Sequence, residues 1–231
     1  VNTLDSPRVA ALLERLHETA EASDREHLAM MMAKLNAPGA TIEEVVREHL
    51  AAERQDYPAI YQSYAGNFLA ISPEFGRFLY ALVRAIGAGR IVEFGTSMGI
   101  STLYLAAGLR DNGGGIVIGT ELEPGKVAKA LDHLAAAGLD DLVEIREGDA
   151  LQTLRDTGGE IDLALIDGAM SLYLPVLKLI EPRLRTGAAV IGENAFDPAY
   201  QAYIHDPANG YLSQPLPIGE GRGNEFTVRI A

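Results

Sequence analysis

The stretch Arg90-Ile91-Val92-Glu93-Phe94-Gly95-Thr96-Ser97-Met98-Gly99-Ile100-Ser101 decides the fold of this 231-residue chain. An apolar run carrying one acid ends in a turn with two glycines, and a helical pattern opens at Ser101. The pattern predicts a strand, a tight loop and a helix N-terminus. Gly95 and Gly99 lack a Cβ, so backbone here can come close to a ligand. Open α/β sheets bind ligands beyond the carboxyl ends of their strands, where this loop falls. The spacing is E-x-G-x-x-x-G, not the G-x-G-x-x-G that seats a pyrophosphate. A carboxylate beside the loop repels phosphate and suits a ligand that presents a cation or hydroxyls.

Outward from this stretch, strands and helices alternate. Strands are expected at residues 91–94, 116–121, 142–147, 161–166 and 188–192, with helices at 101–109, 124–137, 150–157 and 171–184. That order reads as a parallel sheet with helices on both faces. After a helix near 197–204, strands at 211–216 and 226–230 flank Gly219-Glu220-Gly221-Arg222-Gly223. Such a connection suits a hairpin. The expected fold class is α/β: a Rossmann-like, doubly wound, mostly parallel seven-stranded sheet with a C-terminal antiparallel hairpin, preceded by N-terminal helices.

Residues 1–70 read as a helical extension and residues 71–231 as the main domain. Asp5-Ser6-Pro7 starts a helix, with a capping side chain before a proline in the first turn. Val9, Leu12, Leu13 and Leu16 follow at helical spacing, and Met30 to Met32 end a second helical stretch. Asn36-Ala37-Pro38-Gly39 breaks the chain, and Thr41 with Glu44 forms a capping box for the next helix. The segment from Tyr57 to Asn67 reads as a short helix or loop. Ser72-Pro73-Glu74 opens a helix with Phe75, Phe78, Leu79, Leu82, Val83 and Ile86 on one face, ended by Gly87 and Gly89. The extension is expected to cover an acceptor pocket, to form a dimer contact, or both.

Composition bounds the partners. At 48% hydrophobic residues the chain has the material for a large core. It has no cysteine, which rules out disulfides and thiolate metal sites and fits a reducing compartment. A net charge of -13 argues against nucleic acid or an anionic membrane as partner. No apolar run approaches the ~20 residues of a membrane span. Val1 to Asp5 carries no basic leader pattern, so a cytoplasmic protein is expected.

Several strand ends carry side chains with chemistry. Glu121, with Leu122 beside it, stands where a doubly wound fold places the acid that binds ribose hydroxyls. Asp149 and Ala150, after the third strand, would flank an adenine on the other side. Asp167 follows the fourth strand, and Glu193-Asn194 the fifth. Two carboxylates and an amide make a hard oxygen site of the kind magnesium or calcium prefers. The alternative is a helix cap at Asp167 and a solvated turn at Glu193-Asn194.

Together these motifs resemble the class I S-adenosylmethionine-dependent methyltransferases, and within them the divalent-metal-dependent O-methyltransferases similar to catechol and caffeoyl-CoA O-methyltransferase. The resemblance runs from about Ile71 to the C-terminus. It implies that Glu93, Gly95, Thr96, Ser97, Gly99 and Ser101 cradle the methionine part of S-adenosyl-L-methionine, while Glu121 binds the ribose. It implies a divalent metal, Mg²⁺ first, on Asp167, Glu193 and Asn194, with Asp167 at the reacting end of the cofactor. The implied acceptor is a small hydroxylated molecule, phenolic or catechol-like, and the expected assembly is a homodimer. The chain departs from the family twice. Glu193 stands where an aspartate is usual, and Met170 stands where a lysine base is usual, three residues after the first metal acid. His205 and Tyr203 are the nearest substitutes in sequence, with His205 the catalytic candidate.

Other readings remain open at this level. One is a metal-independent methyltransferase on the same fold, separated by sensitivity to chelation. Another is a non-catalytic cofactor-binding module, separated by binding without turnover. A nicotinamide dehydrogenase lacks its glycine fingerprint here, and nothing selects for the polyamine of an aminopropyl transferase.

Overall fold

Seven strands and eight helices follow one another in the computed structural model, which describes residues 2–219 and 223–231. Val1 and residues 220–222, part of the expected hairpin connection, lie outside the described residues.

The chain begins with α1 (Pro7–Leu35), where Ser6 caps the first turn by accepting from the Val9 N–H. The two helical stretches expected here are one helix of 29 residues. Only its first half joins the core, through Val9, Leu12, Leu13, Leu16 and Ala20. Burying each leucine contributes about 1.5–3 kcal/mol, which docks that half firmly. Beyond Ala20 the helix buries Asp24 and then carries the exposed Leu28, Met30 and Met32. Helix α2 (Ile42–Ser63) starts at Thr41, whose hydroxyl accepts from the Glu44 N–H. It extends through the tyrosine-rich segment but kinks at Asp56 (φ -161°, ψ 72°). Pro58 then falls in the first turn of the restarted helix, where its missing N–H has no intrahelical partner to lose. The Asp56 carboxylate restarts the helix by accepting from the Ala59 N–H at 3.0 Å.

After α2 comes α3 (Pro73–Ile86), capped by Ser72 and closed by left-handed Gly87. Then come β1 (Arg90–Phe94), α4 (Ile100–Asn112), β2 (Ile116–Glu121), α5 (Pro124–Ala137), β3 (Val143–Glu147), α6 (Ala150–Thr153), β4 (Ile161–Ile166), α7 (Tyr173–Ile180), β5 (Leu184–Gly192), α8 (Pro198–His205), β6 (Tyr211–Pro215) and β7 (Glu225–Arg229). Helices α6 and α7 are shorter than expected. A 3-10 turn at Glu181–Arg183, with Pro182 inside it, ends α7 early.

The strand order is β3-β2-β1-β4-β5-β7-β6, parallel except where β7 pairs antiparallel with β5 and β6. Helices α1, α3, α4 and α5 pack on one face and α6, α7 and α8 on the other. Helix α4 lies between the sheet and the outer helices, so every residue from Ile100 to Leu109 is buried. The chain leaves β1 toward β2 on one side and returns to β4 on the other. The crevice between those two turns is the topological switch point.

Candidate functional site

Strand register aligns the candidate residues. Phe94 pairs with both Thr120 and Ile166, and Ile166 pairs with Gly192. Each strand then runs on by one residue, which sets Gly95, Glu121, Asp167 and Glu193 along a single carboxyl edge. Gly95 has φ +96°, and a Cβ there would collide with the Asp167 carbonyl. Only glycine lets the loop pass that close to β4.

Glu93 does a different job from the one the sequence suggested. It is fully buried, and its carboxylate accepts from Ser101 Oγ (2.6 Å), Thr102 Oγ1 (2.6 Å) and Thr96 Oγ1 (3.0 Å). Burial raises its carboxyl's pKa against these hydroxyls, which pull the other way. It braces the loop from behind and is not among the residues lining the cavity. Gly99 is likewise set back, facing Ala130 of α5, with φ +85° starting α4.

The cavity holds about 600 Å³ and spans the whole edge. At one end it is lined by Gly95, Thr96, Ser97, Ser101, Glu121 and Leu122. Glu121 accepts from the Ser97 N–H at 2.8 Å and the Glu123 N–H at 2.9 Å, which aims the carboxylate. Nearby, Lys126 Nζ donates to Ser97 Oγ at 3.2 Å. Burial lowers the Lys126 pKa, while Glu121, Asp24 and Glu123 favour its charge. Gly148 and Ala150 line the same region, but Asp149 does not. Asp149 instead caps α6 through the Leu151 N–H and accepts from the Tyr57 hydroxyl at 2.9 Å.

At the middle of the cavity stand Asp167, Glu193 and Asn194. Backbone bonds extend the ladder through them: Asp167 N–H to Phe94 O at 2.9 Å and Glu193 N–H to Ile166 O at 3.0 Å. The buried Tyr173 hydroxyl donates to the Glu193 carbonyl at 2.6 Å. Asn194 is left-handed (φ 49°), its N–H donates to Asn224 Oδ1 at 3.0 Å, and its amide nitrogen donates to the Glu193 carboxylate. Among the described residues no three His, Cys, Asp or Glu side chains group as a metal site. Two carboxylates and one amide oxygen nevertheless fit a hard cation that keeps several waters.

The far end is closed by the extension, with Met31, Met32 and Leu35 of α1 and Val45, Val46 and His49 of α2. Met170 lines the cavity beside Asp167. Glu53, buried on α2, accepts from the Met170 N–H (3.2 Å), the Ser171 N–H (2.6 Å) and the Tyr61 hydroxyl (3.0 Å). Sequence reading passed over Glu53, His49, Tyr61 and Lys126. The spacing of His49 and Glu53, four apart on a helix, was the available signal for the first pair. The structure places His205 elsewhere: exposed at the end of α8, 3.4 Å from Glu225, and outside the cavity lining. Tyr203 is also outside it, donating to Glu181 at 3.0 Å.

A family model described as a methyltransferase domain matches residues 92–195. The catechol O-methyltransferase of Mycobacterium tuberculosis is 35% identical over 127 residues, covering 54% of this chain and 57% of that protein. The catechol O-methyltransferase of Niastella koreensis is 30% identical over 148 residues, covering 58% of this chain and 66% of that protein. The chain thus spans less than two thirds of either relative's length. Among solved structures, the O-methyltransferase of Bacillus cereus in complex with S-adenosylhomocysteine matches with a TM-score of 0.62 at 23% identity. That match covers 88% of this chain and 97% of the other, and is a likeness of fold.

Proposed function

We propose, from the premise that this chain belongs to the class I S-adenosylmethionine-dependent methyltransferases similar to catechol and caffeoyl-CoA O-methyltransferase, that it is an O-methyltransferase. Its donor would be S-adenosyl-L-methionine and its acceptor a hydroxyl of a small phenolic, catechol-like molecule, with a divalent ion assisting. One observation carries this reading. A single cavity runs from the glycine loop and Glu121, past Asp167, Glu193 and Asn194, to an apolar chamber under α1 and α2.

Each part of the lining has a task. Glu121, already aimed by Ser97 and Glu123, would accept the donor's ribose hydroxyls. The loop from Gly95 to Ser97 would hold the methionine part against the end of β1. Asp167, Glu193 and Asn194 would hold the metal, whose chemistry is to lower the pKa of an acceptor hydroxyl and fix its position. Met31, Met32, Leu35, Val45 and Val46 would exclude water and take an aromatic ring, since flexible methionines adapt to irregular shapes. Alignment of oxygen, methyl and sulfur by these walls can supply ~7–11 kcal/mol of the barrier.

Calorimetry with S-adenosylhomocysteine, then methylation of catechol with Mg²⁺ or with EDTA, tests the reading. Binding and Mg²⁺-dependent turnover are expected. Binding without turnover on any phenol would favour the non-catalytic module, for which Met170 is the specific motive. Turnover in EDTA would remove the metal and leave a side-chain-assisted methyltransferase. The proposal extends to a cytoplasmic homodimer, with Met30 of α1, which is exposed and outside the cavity lining, in its contact. Sedimentation of a Met30→Glu variant against wild type checks that contact.

A further inference from the structure

Methyl transfer to a hydroxyl releases a proton, and Met170 offers nothing to receive it. Three features of α2 converge on that gap. His49 lines the cavity. Its Nε2 lies 2.9 Å from Glu53 Oε1, one helical turn further along the same face. Glu53 in turn grips the backbone N–H groups of Met170 and Ser171, so the pair is pinned to the segment that carries Met170. The Tyr61 hydroxyl bridges the same join, within 3.0 Å of Glu53 and 3.3 Å of the Gly168 carbonyl beside Asp167.

The chemistry of the pair is directional. Burial pushes the Glu53 pKa up, but the bonds from His49, Ser171 and Tyr61 outweigh it and hold the carboxyl below its ordinary range. An ionised carboxylate only accepts, so it favours the tautomer with the proton on His49 Nε2. The lone pair then sits on Nδ1, across the ring from Glu53. Facing His49 are Glu53 on its own helix and His27 on α1, and the Glu53 carboxylate is faced in turn by Tyr61 on α2 and Tyr64 just past its end. Burial lowers the His27 pKa, with Asp24 opposing and His49 adding to the lowering, and the His27 ring packs edge-on to Tyr64 at 4.7 Å.

We infer that His49, held by Glu53, is the general base of the methyl transfer, an inference that rests on the function proposed above. As the acceptor oxygen forms its bond to the methyl carbon, the sulfur–methyl bond breaks and its electron pair stays on sulfur, leaving a neutral thioether. The acceptor's hydroxyl proton passes to Nδ1, and the resulting imidazolium faces the Glu53 carboxylate. His49 is a catalytic residue in this scheme and Glu53 a positioning residue. The base reaches the site from the lid helix rather than from the position after β4.

The test uses the full chain with S-adenosylhomocysteine and 4-nitrocatechol, a phenol whose ionisation is visible by absorbance. In wild type the bound probe is expected to ionise at a lower pH than in His49→Gln, with equal affinity for S-adenosylhomocysteine. With S-adenosylmethionine and catechol, His49→Gln is expected to lower kcat by ~10²–10⁴-fold with KM little changed. Free imidazole should restore part of the rate to His49→Ala. Glu53→Gln should shift the pH midpoint of probe ionisation while His49 is still present. Should Glu53→Gln fail to fold, the half-buried His49 still accepts substitution and decides alone. Identical probe ionisation and kcat in wild type and His49→Gln would overturn the inference. A wild type that binds neither S-adenosylhomocysteine nor the probe would overturn the methyltransferase reading, and the base with it.

Discussion

The carboxylate of Asp24, on α1, accepts the Phe68 N–H at 2.8 Å, and the Phe68 carbonyl accepts from Ser97 Oγ at 2.6 Å. Asp24 also takes the Leu69 N–H at 2.7 Å, where the backbone turns left-handed at φ 50°. Helix α1 is thereby bonded to the glycine loop through one short segment. A buried polar group left without a partner costs ~1–3 kcal/mol. Asp24→Ala would orphan the two backbone donors that hold this turn, so a loss of about 2 kcal/mol or more is expected on that basis. Urea unfolding measures it, and affinity for S-adenosylhomocysteine should fall in parallel as the loop loosens. A stability change within about 0.5 kcal/mol, typical of surface positions, would show that Asp24 does not hold the turn.

Glu121→Ala should weaken S-adenosylhomocysteine binding by about 1.5–3 kcal/mol, the worth of hydrogen bonds to a charged group. That is roughly 10- to 150-fold in dissociation constant. Glu121→Gln, which keeps an acceptor but loses the charge, should fall between. Calorimetry reads both, and unchanged affinity in the alanine variant would remove Glu121 from the ribose role.

Asp167→Asn and Glu193→Gln each replace a hard, charged oxygen at the middle of the cavity. Both should lower Mg²⁺ affinity measured directly by calorimetry, and both should reduce turnover with catechol. Full wild-type activity in chelator would sink the metal role, whatever the two variants do.

Met170→Lys is expected to keep or raise the rate with a catechol-like acceptor, because it adds a second proton acceptor beside Asp167. On a His49→Gln background it should recover part of the lost rate. His205→Ala should leave kcat unchanged, since His205 is exposed and outside the cavity. A large loss in His205→Ala would return it to the site. Simple aliphatic alcohols, far less acidic than phenols, should be poor substrates.

The Glu53 carboxylate ties α2 to the segment after β4, and its pKa is held below the ordinary value of 4.5. A depressed acid stabilises fully above its unfolded pKa and loses that effect as pH falls through the folded value. The docking of α2 should therefore persist down to about pH 4.5 and fail below it. Hydrogen exchange at the Met170 and Ser171 amides, corrected for intrinsic rates, follows this. Protection that stays constant through the acid range, or that survives Glu53→Gln, would contradict it.

The sheet was legible because strand identity is a local property. Apolar runs such as Ile161–Ile166 and Ile116–Glu121 match their expected bounds, and a glycine-rich turn at a strand end announces a close backbone approach. Residues just past neighbouring parallel strands share an edge, so a common edge for Asp167 and Glu193 could be expected from the sequence, while the strand order came from the tertiary structure. Which way a side chain faces was not legible. Glu93 stands in the signature stretch, yet Thr96, Ser101 and Thr102 draw its carboxylate into the interior. His205 follows the fifth strand closely in sequence, but α8 carries it to the outside. Glu53, His49 and Asp24 lie on helices that read as ordinary amphipathic segments. Their meaning depends on contacts across more than forty residues of chain, as with Asp24 and Phe68, or across more than a hundred, as with Glu53 and Met170. Periodicity and turn chemistry thus determined the layers and the binding edge. Only packing of α1 and α2 over that edge decided which polar side chains are buried together, because burial strengthens a hydrogen bond or leaves an unmet partner costly.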